Sequence, residues 1–196
     1  KMIKEENKHN YTKFEQLLIA SIDEVLTQTD VDPHDKKTLL IISTTKGNIS
    51  LLETENYNQS LEKRIALHTS AKLVADHFHF FNQPLIISNA CISGLLGILT
   101  GMRLIRSDHY ENIIITGADV ISKFILSGFQ SFQALSNNIC KPFDKNRDGI
   151  NLGEGAATVI LSSTKKSKDD IKVVSGSVSN DANHISGPSR TGDELY

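Results

Sequence analysis

The order of apolar and polar positions predicts helices and strands along most of the chain. Apolar residues recur at helical spacing in two segments, and a third segment is apolar on nearly every side. Short runs rich in isoleucine, leucine and valine, bounded by turn residues, predict buried strands. The predicted helices are residues 13–28, 60–77 and 91–106, and the predicted strands are residues 38–43, 84–88, 112–117, 154–162 and 171–179.

Strands that alternate with helices are typical of an α/β layered fold with a largely parallel sheet. The last two predicted strands are joined by a short lysine-rich turn, so we expect them to pair antiparallel. The third helix carries Gly94, Gly97 and Gly101 near one face, which lets it approach another backbone closely. We therefore expect this helix at the centre of the protein.

Composition excludes several classes of protein. The chain has 196 residues, 39% hydrophobic and 22% charged, with a formal net charge of −2, which argues against nucleic-acid binding. Two cysteines, Cys91 and Cys140, are too few for a disulfide framework, so we expect a reducing, cytoplasmic compartment. The N-terminus has no apolar signal core, and both ends look cut, as in a piece of a longer protein.

An uncharged stretch from residue 84 to residue 102 approaches the length of a membrane span. Pro84, Ser88 and Asn89 interrupt it, and three glycines dilute its hydrophobicity. We therefore expect a buried strand, a turn and a buried helix there, and no membrane span.

The stretch that carries chemistry is centred on Cys91. A buried strand ends, the chain turns sharply, and a buried helix begins next to this cysteine, as at a nucleophile elbow. The positive end of the helix dipole favours a thiolate, which is the reactive form of cysteine. Backbone N–H groups in the turn could stabilise an oxyanion. The pattern alone leaves open that Cys91 is a buried structural thiol.

Five sequence blocks resemble the β-ketoacyl synthase family. Residues 88–94, SNACISG, are similar to its T-A-C-S-S motif, and residues 141–157, KPFDKNRDGINLGEGAA, resemble R-P-F-D-x-x-R-D-G-F-x-x-G-E-G-A. Residues 114–119 (IITGAD) and 134–136 (ALS) resemble the segments between those motifs. Residues 180–188, NDANHISGP, resemble the D-A-x-H-x-x-x-P loop. The resemblance covers nearly the whole chain.

Three positions depart from the family motif around the cysteine. Asn89 stands where threonine is usual, Ile92 replaces a serine, and Gly94 follows Ser93 where another serine is frequent. None of these changes removes the nucleophile.

The resemblance implies a thiolase-like α/β/α/β/α fold, of which residues 1–196 supply the N-terminal domain and first half. It also implies that Cys91 is the catalytic nucleophile of a 3-oxoacyl-[acyl-carrier-protein] synthase in fatty acid or polyketide-type synthesis. Cys91 accepts an acyl group, a malonyl thioester loses carbon dioxide, and the carbanion attacks the acyl thioester. The two family histidines and a glycine-rich loop lie in the C-terminal half, so this chain alone should be inactive.

The same resemblance implies the partners. They are the acyl carrier protein, acyl and malonyl thioesters, and a second synthase-like subunit in a homodimer or heterodimer. No cofactor and no metal are expected. The alternatives are a non-condensing subunit similar to a chain-length factor, a coenzyme A-dependent thiolase-type acyltransferase, and a cysteine hydrolase.

Other polar residues are weaker candidates. His77 and His79 have spacing that can ligate a metal, but a third ligand is not apparent. Residues 144–155 begin like an EF-hand loop but have glycine where position 12 requires glutamate. We expect instead a buried network of Asp144, Arg147 and Glu154, and a structural role for His184.

Overall fold

The computed structural model describes residues 10–180 and 191–192. In this part of the chain the helices are α1 (Lys13–Leu26), α2 (Gln59–Ile65), α3 (Leu67–His77), α4 (Ser93–Arg106) and α5 (Lys123–Ser131), with a 3₁₀ helix at Ile49–Glu53. The strands are β1 (Thr38–Ser43), β2 (Leu85–Ile87), β3 (Asn112–Asp119) and β4 (Gly155–Ser162).

The four strands form one sheet in the order β2-β1-β3-β4. Strand β1 runs parallel to both β2 and β3, and Ser43 at its end pairs with Ile87 on one side and Gly117 on the other. Strand β4 lies antiparallel to β3, with Asp119 opposite Gly155. The largely parallel α/β sheet is thus confirmed, and the carboxyl ends of three strands meet at one edge. In open α/β sheets that edge is where ligands bind.

Strand β1 is buried on both faces of the sheet. Leu40 and Ile42 pack in a core with residues of α1 and α3, whereas Leu39 and Ile41 pack in a core with residues of α4. Because successive side chains of a strand point to opposite faces, both sets must be apolar. The uninterrupted run TLLIIS therefore forms the central strand between two helical layers.

Helix α1 begins with a capping box. The Thr12 side chain accepts a hydrogen bond from the Glu15 N–H, and the Glu15 carboxylate accepts one from the Thr12 N–H at 2.9 Å. These bonds satisfy two backbone donors that a helix start otherwise leaves unpaired. The cap fixes the entry of α1, whose Phe14, Leu18 and Ile22 are buried against the sheet.

The predicted helix over residues 60–77 is two helices. Ala66 has extended backbone angles and separates α2 from α3. The Thr69 hydroxyl donates to the Lys63 carbonyl across the break, and Arg64 in the last turn of α2 pairs with Glu15. Hydrophobic periodicity does not depend on such tertiary contacts, so it could not predict the break.

The predicted strand over residues 171–179 is wrong. Residues 171–180 have no regular secondary structure, and the hairpin expected with the preceding strand is absent, because β4 pairs with β3 instead. Ile171 is 93% exposed and Val174 is 65% exposed. Arg106 of α4 donates to the Val174 carbonyl, and Leu99 leaves no room for a Cβ at Gly176. The segment thus lies along α4 without a strand to pair with.

Two elements were not predicted: α5 and the 3₁₀ helix. Ser122 caps α5 by accepting a hydrogen bond from the Ile125 N–H, and the Glu53 carboxylate accepts from the Phe124 N–H at 2.9 Å. Helix α5 has nine residues and the 3₁₀ helix has five, so neither carries an apolar repeat of several turns. Among the described residues no helix is long and apolar enough to cross a membrane, and α4 has only 14 residues.

Candidate active site

The chain turns sharply between β2 and α4. The Ile87 carbonyl still accepts a hydrogen bond from the Thr44 N–H at 3.0 Å, and Ala90 then adopts a left-handed φ of 43°. A non-glycine residue in this region is unfavourable unless surrounding contacts fix it. Cys91 follows directly, is exposed, and lies two residues before α4 begins at Ser93. The turn predicted from the sequence is therefore present, and the thiol is not buried.

Ser93 holds this turn together. Its buried hydroxyl donates to the Ala90 carbonyl at 2.8 Å and accepts from the Asn89 N–H at 2.8 Å. These two bonds span the residues on both sides of the strained position. The sequence analysis identified Ser93 only as part of the motif and missed this structural role. A serine at the start of a helix, three residues after Ala90, could have indicated it, because serine hydroxyls often bond nearby backbone groups at that position.

Helix α4 approaches the sheet most closely at Gly97. A Cβ atom there would lie 2.6 Å from Ser43 Oγ and 3.0 Å from Ile115 Cγ2. At Gly101 a Cβ atom would lie 3.1 Å from Leu161 Cδ1 of β4 and 3.4 Å from Ile115 Cδ1 of β3, whereas Gly94 faces open space. The prediction of close approach through three glycines therefore holds for two of them.

An open cleft of about 900 Å³ lies at the carboxyl edge of the sheet. The ends of β1 and β3, the start of α4, part of α5 and the first half of β4 contribute to its lining, which includes Cys91. Most lining side chains are small or apolar. Lys46 and Asp119 are the charged residues in the lining that the structure describes, and Lys46 Nζ lies 2.9 Å from Asp119 Oδ1.

Two of the sequence blocks contact each other beside this cleft. Ser136 N–H donates to the Ile150 carbonyl at 3.0 Å, and Ile150 N–H donates to the Ala134 carbonyl at 2.9 Å. Gly149 has a φ of +135°, and a Cβ atom there would lie 2.7 Å from the Ala134 carbonyl oxygen. A side chain at this position would thus meet both backbone strain and a clash, which explains the glycine of the RDG sequence.

The predicted buried network of Asp144, Arg147 and Glu154 is wrong. All three residues are exposed, and the Arg147 guanidinium donates to the Asp144 carbonyl oxygen rather than to a carboxylate. Glu154 instead pairs with Lys13 and accepts from the Ile121 N–H at 3.0 Å. Asp144 and Arg147 stay hydrated because no other element in the described chain covers them, whereas Glu154 is held by contacts to α1 and to the segment before α5.

The candidate metal-ligating side chains do not lie together. Within residues 10–180 and 191–192, no group of three histidine, cysteine, aspartate or glutamate side chains could hold a metal ion. The Tyr11 hydroxyl lies 3.1 Å from His77 Nδ1, and burial lowers the pKa of His77 although the Asp23 carboxylate opposes that change. Asp148 binds the Ser136 hydroxyl, which lowers the pKa of Asp148. His184 and the rest of the 181–188 loop lie outside the described residues.

A buried carboxylate network lies behind the site and was missed from the sequence. Glu15 is fully buried, and both of its oxygens accept from Arg64 at 2.5 Å. Asn48 donates to Glu15 at 3.0 Å and to Ser70 at 2.8 Å. Burial raises the pKa of Glu15, but the hydrogen bonds from Arg64, Thr12 and the rest of the network outweigh it and lower that pKa.

The family model for the beta-ketoacyl synthase N-terminal domain matches residues 1–167. The chain belongs to the β-ketoacyl synthase family. It is 26% identical over 212 aligned positions to a Schizosaccharomyces pombe protein named as a mitochondrial 3-oxoacyl-[acyl-carrier-protein] synthase, covering 93% of this chain and 49% of that protein. It is 32% identical over 118 positions to 3-oxoacyl-[acyl-carrier-protein] synthase 2 of Vibrio cholerae, covering 54% of this chain and 28% of that enzyme.

The β-ketoacyl synthase fold is supported by solved structures as well. A ketosynthase in complex with its chain length factor from Xenorhabdus doucetiae matches 100% of this chain and 52% of that chain, with a TM-score of 0.77 and 21% identity. The fold is therefore the thiolase-like fold of ketosynthases. The chain spans about half or less of the length of these relatives.

Proposed function

We propose that the protein is a 3-oxoacyl-[acyl-carrier-protein] synthase in which Cys91 is the acyl-accepting nucleophile. The observation that carries this proposal is the position of Cys91: exposed at the start of α4, directly after the strained Ala90, in the wall of a cleft of about 900 Å³. A cleft of this size accommodates an acyl chain.

The local geometry supports covalent acyl transfer. In the described part of the chain, the Cys91 N–H donates to no backbone or side-chain acceptor, so it can face the oxygen of an attacked thioester. An N–H fixed in this way stabilises an oxyanion without reorganising during the reaction. The Ser93 hydroxyl holds the two residues before Cys91, so the backbone that carries the donor and the thiol is kept in place.

The proposed reaction has two stages. The Cys91 thiolate attacks an acyl thioester, its sulfur forms a new thioester, and the thiol of the acyl carrier protein leaves. A malonyl thioester then loses carbon dioxide, and the resulting carbanion attacks the Cys91 thioester carbonyl and releases the thiolate. Family histidines would assist the second stage, and no residue described here is assigned that role. Residues 1–196 alone should therefore be acylated weakly at most and form no 3-oxoacyl product.

The experiment uses the full-length protein with acyl-loaded acyl carrier protein. Intact-mass and peptide mapping should find the acyl group on Cys91, and Cys91→Ala should reduce the condensation rate by at least about a thousandfold. Cys140→Ala is the matched control, because Cys140 lies in a partly buried loop, and it should keep its activity. Acylation of Cys140 with Cys91 free would refute the proposal.

A second candidate is a non-condensing partner subunit. Its support is the match to a structure described as a ketosynthase in complex with its chain length factor. The same experiment separates the two candidates. A partner subunit would remain unacylated at Cys91, and a co-expressed synthase would keep its activity when Cys91→Ala is introduced into this chain.

A further inference from the structure

The cleft beside Cys91 contains one ion pair in an otherwise uncharged wall, as far as the described residues line it. Lys46 follows the end of β1 by three residues, Asp119 ends β3, and their Nζ and Oδ1 atoms are 2.9 Å apart. The Lys46 side chain is 29% exposed and that of Asp119 is 66% exposed. Both side chains thus line the cleft and keep contact with water.

A second, smaller cavity adjoins the cleft at this ion pair. It measures about 10 Å³ and is lined by Phe14 and Ile49, among others. The two spaces share six lining residues, namely Thr44, Lys46, Ala118, Asp119, Val120 and Ile125. The ion pair therefore stands at the common boundary between the cleft and a partly apolar cavity.

The backbone around Lys46 is held firmly. The Thr44 hydroxyl accepts from the N–H groups of both Lys46 and Gly47, and Gly47 is left-handed, with so little space that a Cβ atom there would lie 2.6 Å from Leu67 Cδ2. Asn48 is buried and bonded to Glu15 and to the Thr12 hydroxyl. A lysine on such a loop has a defined place, unlike one on a mobile surface turn.

We propose that the Lys46–Asp119 ion pair ends the acyl-binding part of the cleft and so limits the length of the acyl group that Cys91 carries. An alkyl chain that passed the pair would remove water from both charges and offer no hydrogen bond in return. The preferred substrates are then straight-chain acyl thioesters that stop short of the pair. This inference rests on the proposed acylation of Cys91.

The test measures acylation of the full-length protein by a graded series of straight-chain acyl thioesters of N-acetylcysteamine. Second-order rates are followed by intact mass for the wild type, Lys46→Ala and the double variant Lys46→Ala/Asp119→Ala. The double variant should extend the accepted chain by about four methylene groups, the length of the lysine stem. Lys46→Ala alone should extend it less, because the Asp119 carboxylate remains. Lys46→Met keeps most of that stem and should give a smaller extension, which provides a reading if Lys46→Ala does not fold.

The control is the exposed ion pair between Lys72 and Asp76, which lies on α3 and outside the cleft lining. Lys72→Ala/Asp76→Ala should leave the length profile unchanged. An unchanged length limit in a folded Lys46 variant, or an equal loss of rate at every length, overturns the ion-pair proposal. Failure of the wild type to accept any thioester on Cys91 would instead contradict the proposed function.

Discussion

Gly97 on α4 lies so close to Ser43 at the end of β1 that a Cβ atom on the glycine would be 2.6 Å from the serine Oγ. This contact sets the spacing between the helix that follows Cys91 and the central strand of the sheet. The Ser43 hydroxyl is buried and has no hydrogen-bond partner among the described residues. The protein thus accommodates an unpaired buried hydroxyl oxygen at the point where α4 lies closest to the sheet.

Gly97→Ala should destabilise the protein because the added methyl group overlaps Ser43 and presses on Ile115. Overpacking of this kind costs about 1–3 kcal/mol, which exceeds the gain of about 1 kcal/mol in helix propensity. Denaturant unfolding of the full-length protein measures the difference. Gly94→Ala is the matched control, since a methyl group added there would meet nothing within 4 Å, and it should be neutral or slightly stabilising.

Adding Ser43→Ala identifies the contact responsible. The double variant Gly97→Ala/Ser43→Ala should recover part of the lost stability, because the overlapping oxygen is gone. Equal free energies of unfolding for Gly97→Ala and Gly94→Ala would contradict the close approach.

The boundary of β1 and the break before α3 show what the sequence could and could not predict. Thr38–Ser43 was predicted with its observed ends, because a strand buried on both faces leaves an uninterrupted apolar run. Ala66 could not be recognised as a break, since the Arg64–Glu15 pair that accompanies it joins distant segments. The predicted strand at 171–179 failed because β-propensity does not specify a partner strand.

The candidate active site shows the same contrast between features that are local in sequence and features that depend on distant residues. The turn at Cys91 was predicted because strand, turn and helix are consecutive in sequence. The Lys46–Asp119 pair was not predicted, because the two residues meet only through the parallel pairing of β1 with β3. The cysteine's catalytic role stays a prediction.

Ser93→Ala should lower the reactivity of the Cys91 thiol more than it impairs folding. Its hydroxyl bonds both Asn89 N–H and Ala90 carbonyl, and loss of those bonds frees the strained turn that carries Cys91. We expect a stability loss of about 1–2 kcal/mol and a clearly lower rate of Cys91 alkylation by iodoacetamide. Ser93→Thr keeps the hydroxyl and should restore the rate. An unchanged rate in Ser93→Ala would show that the turn keeps its shape without these bonds.

The Glu15–Arg64 pair should make stability depend on acid pH. The pKa of Glu15 is lower in the folded protein than its ordinary value, so its stabilisation is present above that ordinary value. It is lost as the pH falls through the folded-state pKa. Urea unfolding at a series of pH values should therefore show a steeper acid loss for the wild type than for Glu15→Gln.

Replacing Arg64 should destabilise the protein more than replacing Glu15. Arg64→Met leaves a fully buried carboxylate without its cation, and we expect a loss of about 3–5 kcal/mol at neutral pH. Glu15→Gln leaves a guanidinium that is partly exposed to water, so its loss should be smaller. Identical acid slopes for the wild type and Glu15→Gln would contradict the network.

Residues 1–196 expressed alone should associate. Phe124 is 64% exposed and Ile139 is 86% exposed, Phe143 is fully exposed in a left-handed conformation, and Ile171 projects from a segment without a strand partner. Large apolar side chains that are exposed together indicate a surface that binds another protein surface.

Light scattering at micromolar concentration should therefore find species above the monomer mass. A Phe124→Ser/Ile171→Ser variant should shift the distribution toward the monomer, whereas substitution of the exposed Lys72 should not. Association would thus follow from exposed apolar side chains, and a stably folded monomer at that concentration would show that these faces need no cover.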